Sequence, residues 1–172
     1  MTIGILVNDD LTKNPAVRRL WNAYATAASL KRAKFTVFSL GDSAELADEL
    51  LALVFAGIKR ARTSLPREFT AKGWPLPKPG DFSIILDGAG VPRCIIRAVH
   101  VETKPMGDVD EHFAWENGGG DRSLAWWMSA HTRYFRRQGA REGFAVDKDT
   151  EVVLERFQVV WPPEFADRHA LD

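Results

Sequence analysis

The sequence predicts an α+β fold: a small curled sheet or barrel, mixed or antiparallel, decorated by helices. Three observations predict it. Most strand-like segments are short, as in small barrels. Two of them are joined by a tight hairpin. Strands and helical stripes do not alternate in the regular order of a doubly wound sheet.

Taken in order, residues 1–13 read as an N-terminal arm or short strand, 14–163 as a single domain and 164–172 as a frayed tail. Asn14 before Pro15 is an N-cap followed by a helix-compatible proline, and Val17, Leu20, Trp21 and Tyr24 recur at helical spacing, predicting a helix over 15–30. Phe35 to Leu40 reads as a strand that Gly41 ends. Asp42 and Glu45 form a capping box for a helix carrying Leu46, Leu50, Leu53 and Val54, with Gly57 as its stop. From Ile58 to Pro79, prolines 66, 75, 77 and 79 argue against regular structure. Asp81–Leu86 and Arg93–Val99 flank Asp87-Gly-Ala-Gly90 as a hairpin. A short helix over Val109–Trp115 is followed by Gly118-Gly119-Gly120. Asp121 then caps a longer helix to Arg141. Glu151–Trp161 is the last strand, stopped by Pro162-Pro163.

Composition excludes several classes. With 45% hydrophobic and 27% charged residues in a chain of 172, global disorder is excluded. Lys+Arg (23) equals Asp+Glu (23), so any polyanion site is a local patch rather than a global field. The single cysteine, Cys94, excludes an internal disulfide and a thiolate metal cage. No apolar run reaches the ~18–20 residues needed to span a bilayer, and the apolar stretch ending at Val7 is too short for a signal peptide. The expectation is a cytoplasmic protein with no membrane association. Both monomer and homodimer stay open.

Neutrality hides segregation. Between Ile58 and Lys78, Lys59, Arg60, Arg62, Arg67, Lys72 and Lys78 face Glu68 alone, a net +5, whereas the preceding helix is net −4. His131–Arg141 holds Arg133, Arg136, Arg137 and Arg141 and no acid, a net +4. On composition alone these are solvated segments pointing different ways; brought together, they form an anion-binding face. Lys59, among Arg60 and Arg62, either complements a helix dipole or has a lowered pKa suited to proton transfer. Glu116-Asn-Gly-Gly-Gly-Asp-Arg-Ser123 frees backbone N–H groups before a helix, with Arg122 and Ser123 as added donors, although the pattern is not that of a phosphate loop. Trp126, Ala130 and Tyr134, at i, i+4 and i+8, read as a buried stripe, leaving Trp115 as the stacking candidate. His100, His112, His131 and His169 show no metal-ligand spacing, so no metal and no cofactor is expected, and His131 reads as a surface or half-buried helix residue.

The order of these pieces resembles the ASCH domain family (activating signal cointegrator homology), over roughly Trp21 to Trp161. The pieces are Trp21…Tyr24, Gly41-Asp-Ser-Ala-Glu-Leu-Ala-Asp-Glu-Leu-Leu51, Ala56-Gly-Ile-Lys-Arg-Ala-Arg-Thr-Ser64, Lys78-Pro-Gly-Asp81, and Glu116-Asn-Gly-Gly-Gly-Asp-Arg-Ser-Leu124 with Trp127 and His131. The resemblance is to the longer bacterial branch. It implies a PUA-like barrel with a cleft lined by a Gly-x-Lys-x-x-Thr motif, RNA binding, ribonuclease activity in some members, and hydrolysis of acylated cytidines in a short member type. Of that type's lysine, threonine and glutamate, the lysine falls on Lys59 and the glutamate on Glu116. The threonine position is Arg62, so the hydroxyl is missing; Ser64, two residues on, shares the strand face, whereas Thr63 is expected on the other.

The resulting expectation is a metal-independent ribonuclease acting on single-stranded RNA, or a nucleotide-binding protein. Lys59, Glu116 and Ser64 are its catalytic residues, and Arg60, Arg62, Arg122, Ser123 and Trp115 hold RNA or phosphate. An amidohydrolase of N-acylated cytidine-type nucleosides and a non-enzymatic RNA-binding module are the alternatives.

Overall fold

The computed structural model describes residues 9–168. Chain order is α1 (Asp9–Lys13), α2 (Pro15–Ala27), β1 (Phe35–Ser39), α3 (Ala44–Phe55), β2 (Ala61–Ser64), α4 (Pro66–Thr70), β3 (Phe82–Leu86) and β4 (Pro92–Pro105). A 3₁₀ turn (Met106–Asp108), α5 (Glu111–Asn117), α6 (Leu124–Glu142) and β5 (Glu151–Trp161) follow.

The five strands form one mixed sheet in the order β1-β3-β4-β5-β2. Only β1 and β3 run parallel; the other neighbours are antiparallel. The long β4 pairs with β3 along its first half and with β5 along most of its length. Two register shifts against β5, at Ile95/Ile96 and Ala98/His100, let it bend, since bulges add local twist. The sheet curls without closing: β1 and β2 are its two edges.

Alternation along the strands explains how both faces are covered. Val37, Ile84, Ile95 and Val160 pack with Val17, Trp21 and Tyr24 of α2. Their neighbours Phe38, Ile85, Ile96 and Val159 pack with Leu51 and Val54 of α3 on the opposite face. Unbroken apolar pairs such as Ile84-Ile85 therefore mark a sheet buried on both sides. A third cluster joins Trp127 and Phe135 of α6 and Phe113 of α5 to Ala61, Val152 and Leu154. Cys94 is buried in the α3 cluster, and burial pushes its thiol up to about 12, which leaves it inert.

Several local expectations change. Asp9–Lys13 is helical rather than extended, and residues 1–8 lie outside the described residues. The stretch 58–79 contains both β2 and α4, with Pro66 at the first turn of α4 where its missing N–H costs nothing. Asn14 caps α2 as expected, its side chain accepting from Ala16 and Val17. Two caps move by one or two residues. Ser43, not Asp42, accepts from the Leu46 amide, because Asp42 is taken by Arg137 at 2.9 Å. Ser123, not Asp121, accepts from the Trp126 amide, while Asp121 accepts from the Ser123 amide. The tail is held at Asp167, and residues 169–172 lie outside the described residues. Asp167 pairs with Arg60 at 2.8 Å and accepts from the Val159 amide at 2.9 Å.

Candidate functional site

A cavity of about 290 Å³ lies between the two unpaired edges of the sheet. Phe38 to Leu40 at the end of β1 form one wall, and Lys59 with Arg62, Thr63 and Ser64 of β2 form another. Leu46 and Leu50 of α3, Glu68 of α4, and Trp126, Ala130, His131, Arg133, Tyr134 and Arg137 of α6 complete it.

Lys59 is placed there by the exit from α3. Gly57 turns at φ 75°, and the Ile58 and Lys59 amides both donate to the Leu53 carbonyl. The side chain is 4% exposed, and Nζ donates to the Ala61 carbonyl at 2.7 Å and the Asn117 carbonyl at 3.1 Å. It has no carboxylate partner among the described residues. Burial first, and the Arg62 charge second, push its pKa down to about 7. A neutral amine uses its two hydrogens on those two carbonyls, which leaves the lone pair free.

Arg62 sits opposite Glu155 in the β2–β5 register. Its Nε and Nη2 reach one Glu155 oxygen at 2.9 and 2.8 Å, and the guanidinium lies 4.0 Å from the Phe38 ring centre. Both partners are buried, so this cation is compensated within the protein. Arg60 points elsewhere, to Asp167 and to the Val54 and Lys59 carbonyls, and does not line the cavity.

The glycine loop approaches Lys59 by its backbone. Gly118, the left-handed cap of α5 at φ 82°, lies so close that a Cβ there would stand 2.9 Å from the Ile58 carbonyl oxygen. The Arg60 amide donates to the Glu116 carbonyl at 2.8 Å. The Glu116 carboxylate, however, leaves the cavity for Arg156 Nε, with His112 Nε2 at 3.4 Å. Its neighbour Asn117, 4% exposed, lines the cavity instead, and its Oδ1 has no hydrogen-bond partner. Ser64 borders the cavity, and so does Thr63, which the strand alternation places on the other face; the Thr63 hydroxyl is buried and has no hydrogen-bond partner.

Arg122 braces the loop. Its Nε donates to the Trp115 carbonyl at 2.9 Å and its Nη2 to the Ile58 carbonyl at 3.3 Å. Its guanidinium covers the Trp115 ring at 3.8 Å, and neither residue reaches the cavity. Ser123 is spent as the α6 cap. Trp126 is the tryptophan that lines the cavity, 38% exposed and laid over Gly119 and Gly120, where an added Cβ would fall 2.3 and 2.1 Å from its ring. The expected buried stripe of α6 is thus the cavity wall. Trp127 and Phe135 take the core role.

His131 lines the cavity, stacked on Trp127 at 4.4 Å between ring centres. Its Nδ1 meets the Trp127 carbonyl at 2.9 Å; a carbonyl only accepts, so Nδ1 carries the proton and Nε2 is bare. Burial above all, with Lys59 contributing, pushes its pKa down to about 4, so it is neutral at pH 7. Glu68 is the carboxyl that does line the cavity. Burial raises its pKa against bonds from Leu65 and Gln138 and the charge of Arg62. Tyr134 is raised by burial and by Glu68 and Asp42. Among the described residues no cluster of three or more His, Cys, Asp or Glu is placed to hold a metal. No described helix is long and apolar enough to cross a membrane. His169 lies outside the described residues.

Folding therefore brings Lys59, Arg62 and Ser64 together, and leaves Arg60, Trp115, Glu116, Arg122 and Ser123 outside. It adds Glu68, Asn117, Trp126, His131 and Tyr134, which sequence reasoning did not place at the site. One signal was available: the Trp126–Ala130–Tyr134 ridge runs on through Arg133 and Arg137, and a stripe carrying two arginines suits a wet cavity better than a core.

The model of the ASCH domain family matches residues 36–161. The crystal structure of an ASCH domain from Lactobacillus crispatus JV V101 is similar at a TM-score of 0.78 and 30% identity, over 87% of this chain and 96% of that one. Protein EF3133 from Enterococcus faecalis V583 is similar at a TM-score of 0.78 and 33% identity, over 84% of this chain and 88% of that one. The comparison with curated proteins gave no match.

Proposed function

Because the chain belongs to the ASCH domain family, whose PUA-like fold is generally associated with RNA binding, we propose that it binds single-stranded RNA by drawing one nucleotide into the cavity and cleaves it there without a metal. The observation that carries this reading is the buried Lys59 amine, held by two carbonyls in a nucleotide-sized hollow with a pKa of about 7. An amine of that pKa is a proton acceptor for a ribose 2′-OH at neutral pH. The 2′-oxygen then attacks the adjacent phosphorus to give a 2′,3′-cyclic phosphate, and the 5′-oxygen of the next nucleotide leaves with a proton taken from water. Trp126 offers a face for the base, and Arg133, whose one side-chain bond among the described residues is to Ser129, offers a cation for the phosphate. Glu116 has no part in this reading, since its carboxylate is committed to Arg156.

A second reading is favoured by one observation, Thr63 and Ser64 side by side in the cavity lining. In it Lys59 activates water or a hydroxyl for hydrolysis of an N-acylated nucleoside.

Labelled single-stranded RNA and N-acylated cytidine, each incubated with wild type, Lys59→Ala and Glu116→Gln, separate the readings. RNA cleavage lost in Lys59→Ala and kept in Glu116→Gln supports the first. Release of free cytidine with intact RNA supports the second. Activity that survives Lys59→Ala overturns both.

A further inference from the structure

Asn117 and His131 each hold an unspent acceptor in the cavity. Asn117 is buried, lines the cavity, and its Oδ1 has no hydrogen-bond partner. A buried amide oxygen without a donor is costly until a ligand supplies one. On His131 the acceptor is Nε2, since the Trp127 carbonyl keeps the ring proton on Nδ1. Lys59 adjoins both residues: its Nζ donates to the Asn117 backbone carbonyl, and its charge reaches His131.

The two groups differ in freedom. The Asn117 amide can turn over and present its NH2 in place of its oxygen. His131 cannot, because turning its ring would set a carbon against the Trp127 carbonyl. The site therefore pairs an adaptable amide with a fixed acceptor.

We infer that Asn117 and His131 read the base of the nucleotide held in the cavity and select an exocyclic amino group over a carbonyl, favouring adenine and cytosine over hypoxanthine and uracil. This rests on the nucleotide-binding reading above and adds base selection to it. With an amino base, Asn117 Oδ1 accepts one amino N–H and Nδ2 donates to the adjoining ring nitrogen, while His131 Nε2 accepts the second amino N–H. With a keto base, Asn117 turns over and bonds the carbonyl and the ring N–H equally well. His131 Nε2 then faces a carbonyl oxygen, two acceptors with no proton between them.

The test is titration of the tryptophan fluorescence at pH 7 with adenosine beside inosine 5′-monophosphate, and cytidine beside uridine 5′-monophosphate. An acceptor left unpaired predicts a preference of about tenfold for the amino member of each pair. His131→Phe keeps a ring on Trp127, removes the acceptor, and is expected to bring the ratio close to one. A packing defect alone would weaken both members alike and leave the ratio. Asn117→Leu is expected to weaken both members and keep the preference, which His131 still enforces. Equal wild-type affinities within each pair overturn base selection while the nucleotide reading stands. A preference that persists in His131→Phe overturns the assignment to His131. If wild type binds none of the four, both readings fall.

Discussion

Replacing Lys59 with Met keeps the buried stem and removes the titrating amine, and the consequence is a change in how stability depends on pH. In the folded chain Lys59 sits at about 7 instead of 10.5. A basic group held below its unfolded value binds fewer protons when folded than when unfolded between those two values. Stability therefore rises with pH across that window, and the penalty is largest below the lower one. At 1.36 kcal/mol per pKa unit, integrating from about pH 6 to about pH 9 gives roughly 2–3 kcal/mol in favour of the wild type. Urea unfolding of both proteins at the two pH values reads this as a double difference, in which groups common to both cancel. The advantage of Lys59→Met over wild type is expected to shrink by roughly 2–3 kcal/mol on going to the higher pH. A difference that stays constant would refute the claim that the folded chain holds this amine buried and depressed.

Three further outcomes follow from the geometry. Glu155→Leu leaves the Arg62 guanidinium buried and unpaired, and is expected to cost about 3–5 kcal/mol in chemical denaturation, whereas a double change of both residues to apolar ones recovers most of it. Gly118→Ala meets both a left-handed backbone and the Ile58 carbonyl; a lowered melting temperature, with a loss of at least about 1 kcal/mol, is expected. Trp126→Ala is expected to weaken nucleotide binding by about 1–3 kcal/mol in anisotropy titrations, with a smaller loss of stability than Trp127→Ala, whose ring is fully buried.

The strands were the most legible part of the sequence. Glu151–Trp161 is a strand from end to end, and the β3–β4 hairpin falls where the glycines place it, because apolar runs bounded by breakers carry local information. The four residues of β2 were hidden by their charge. Arg62 is tolerated in an interior position only because Glu155, far along the chain, stands opposite it, and no local pattern shows that pairing. The caps failed for a similar reason. Asp42 and Ser43 are both good capping residues, and Arg137 on α6 decides between them by engaging the first. At the site, Lys59 was legible through the family resemblance, since its position after Gly57 alone fits a lysine that complements a helix dipole. The choice between Glu116 and Asn117 was not: adjacent helical residues point about 100° apart, and the helix's rotation is set by Phe113 and Ala114 in the core. Trp126 and Trp127 posed the same problem, and the assignments of wall and core were exchanged.

The most direct measurement is the titration of the Lys59 side chain by NMR, following its ε-carbon in lysine-labelled protein and assigning it with Lys59→Arg, with and without added mononucleotide. A single lysine titrating near 7, whose signal moves when nucleotide is added, is the predicted result. Lysines that all titrate in the ordinary range and ignore the nucleotide would contradict it.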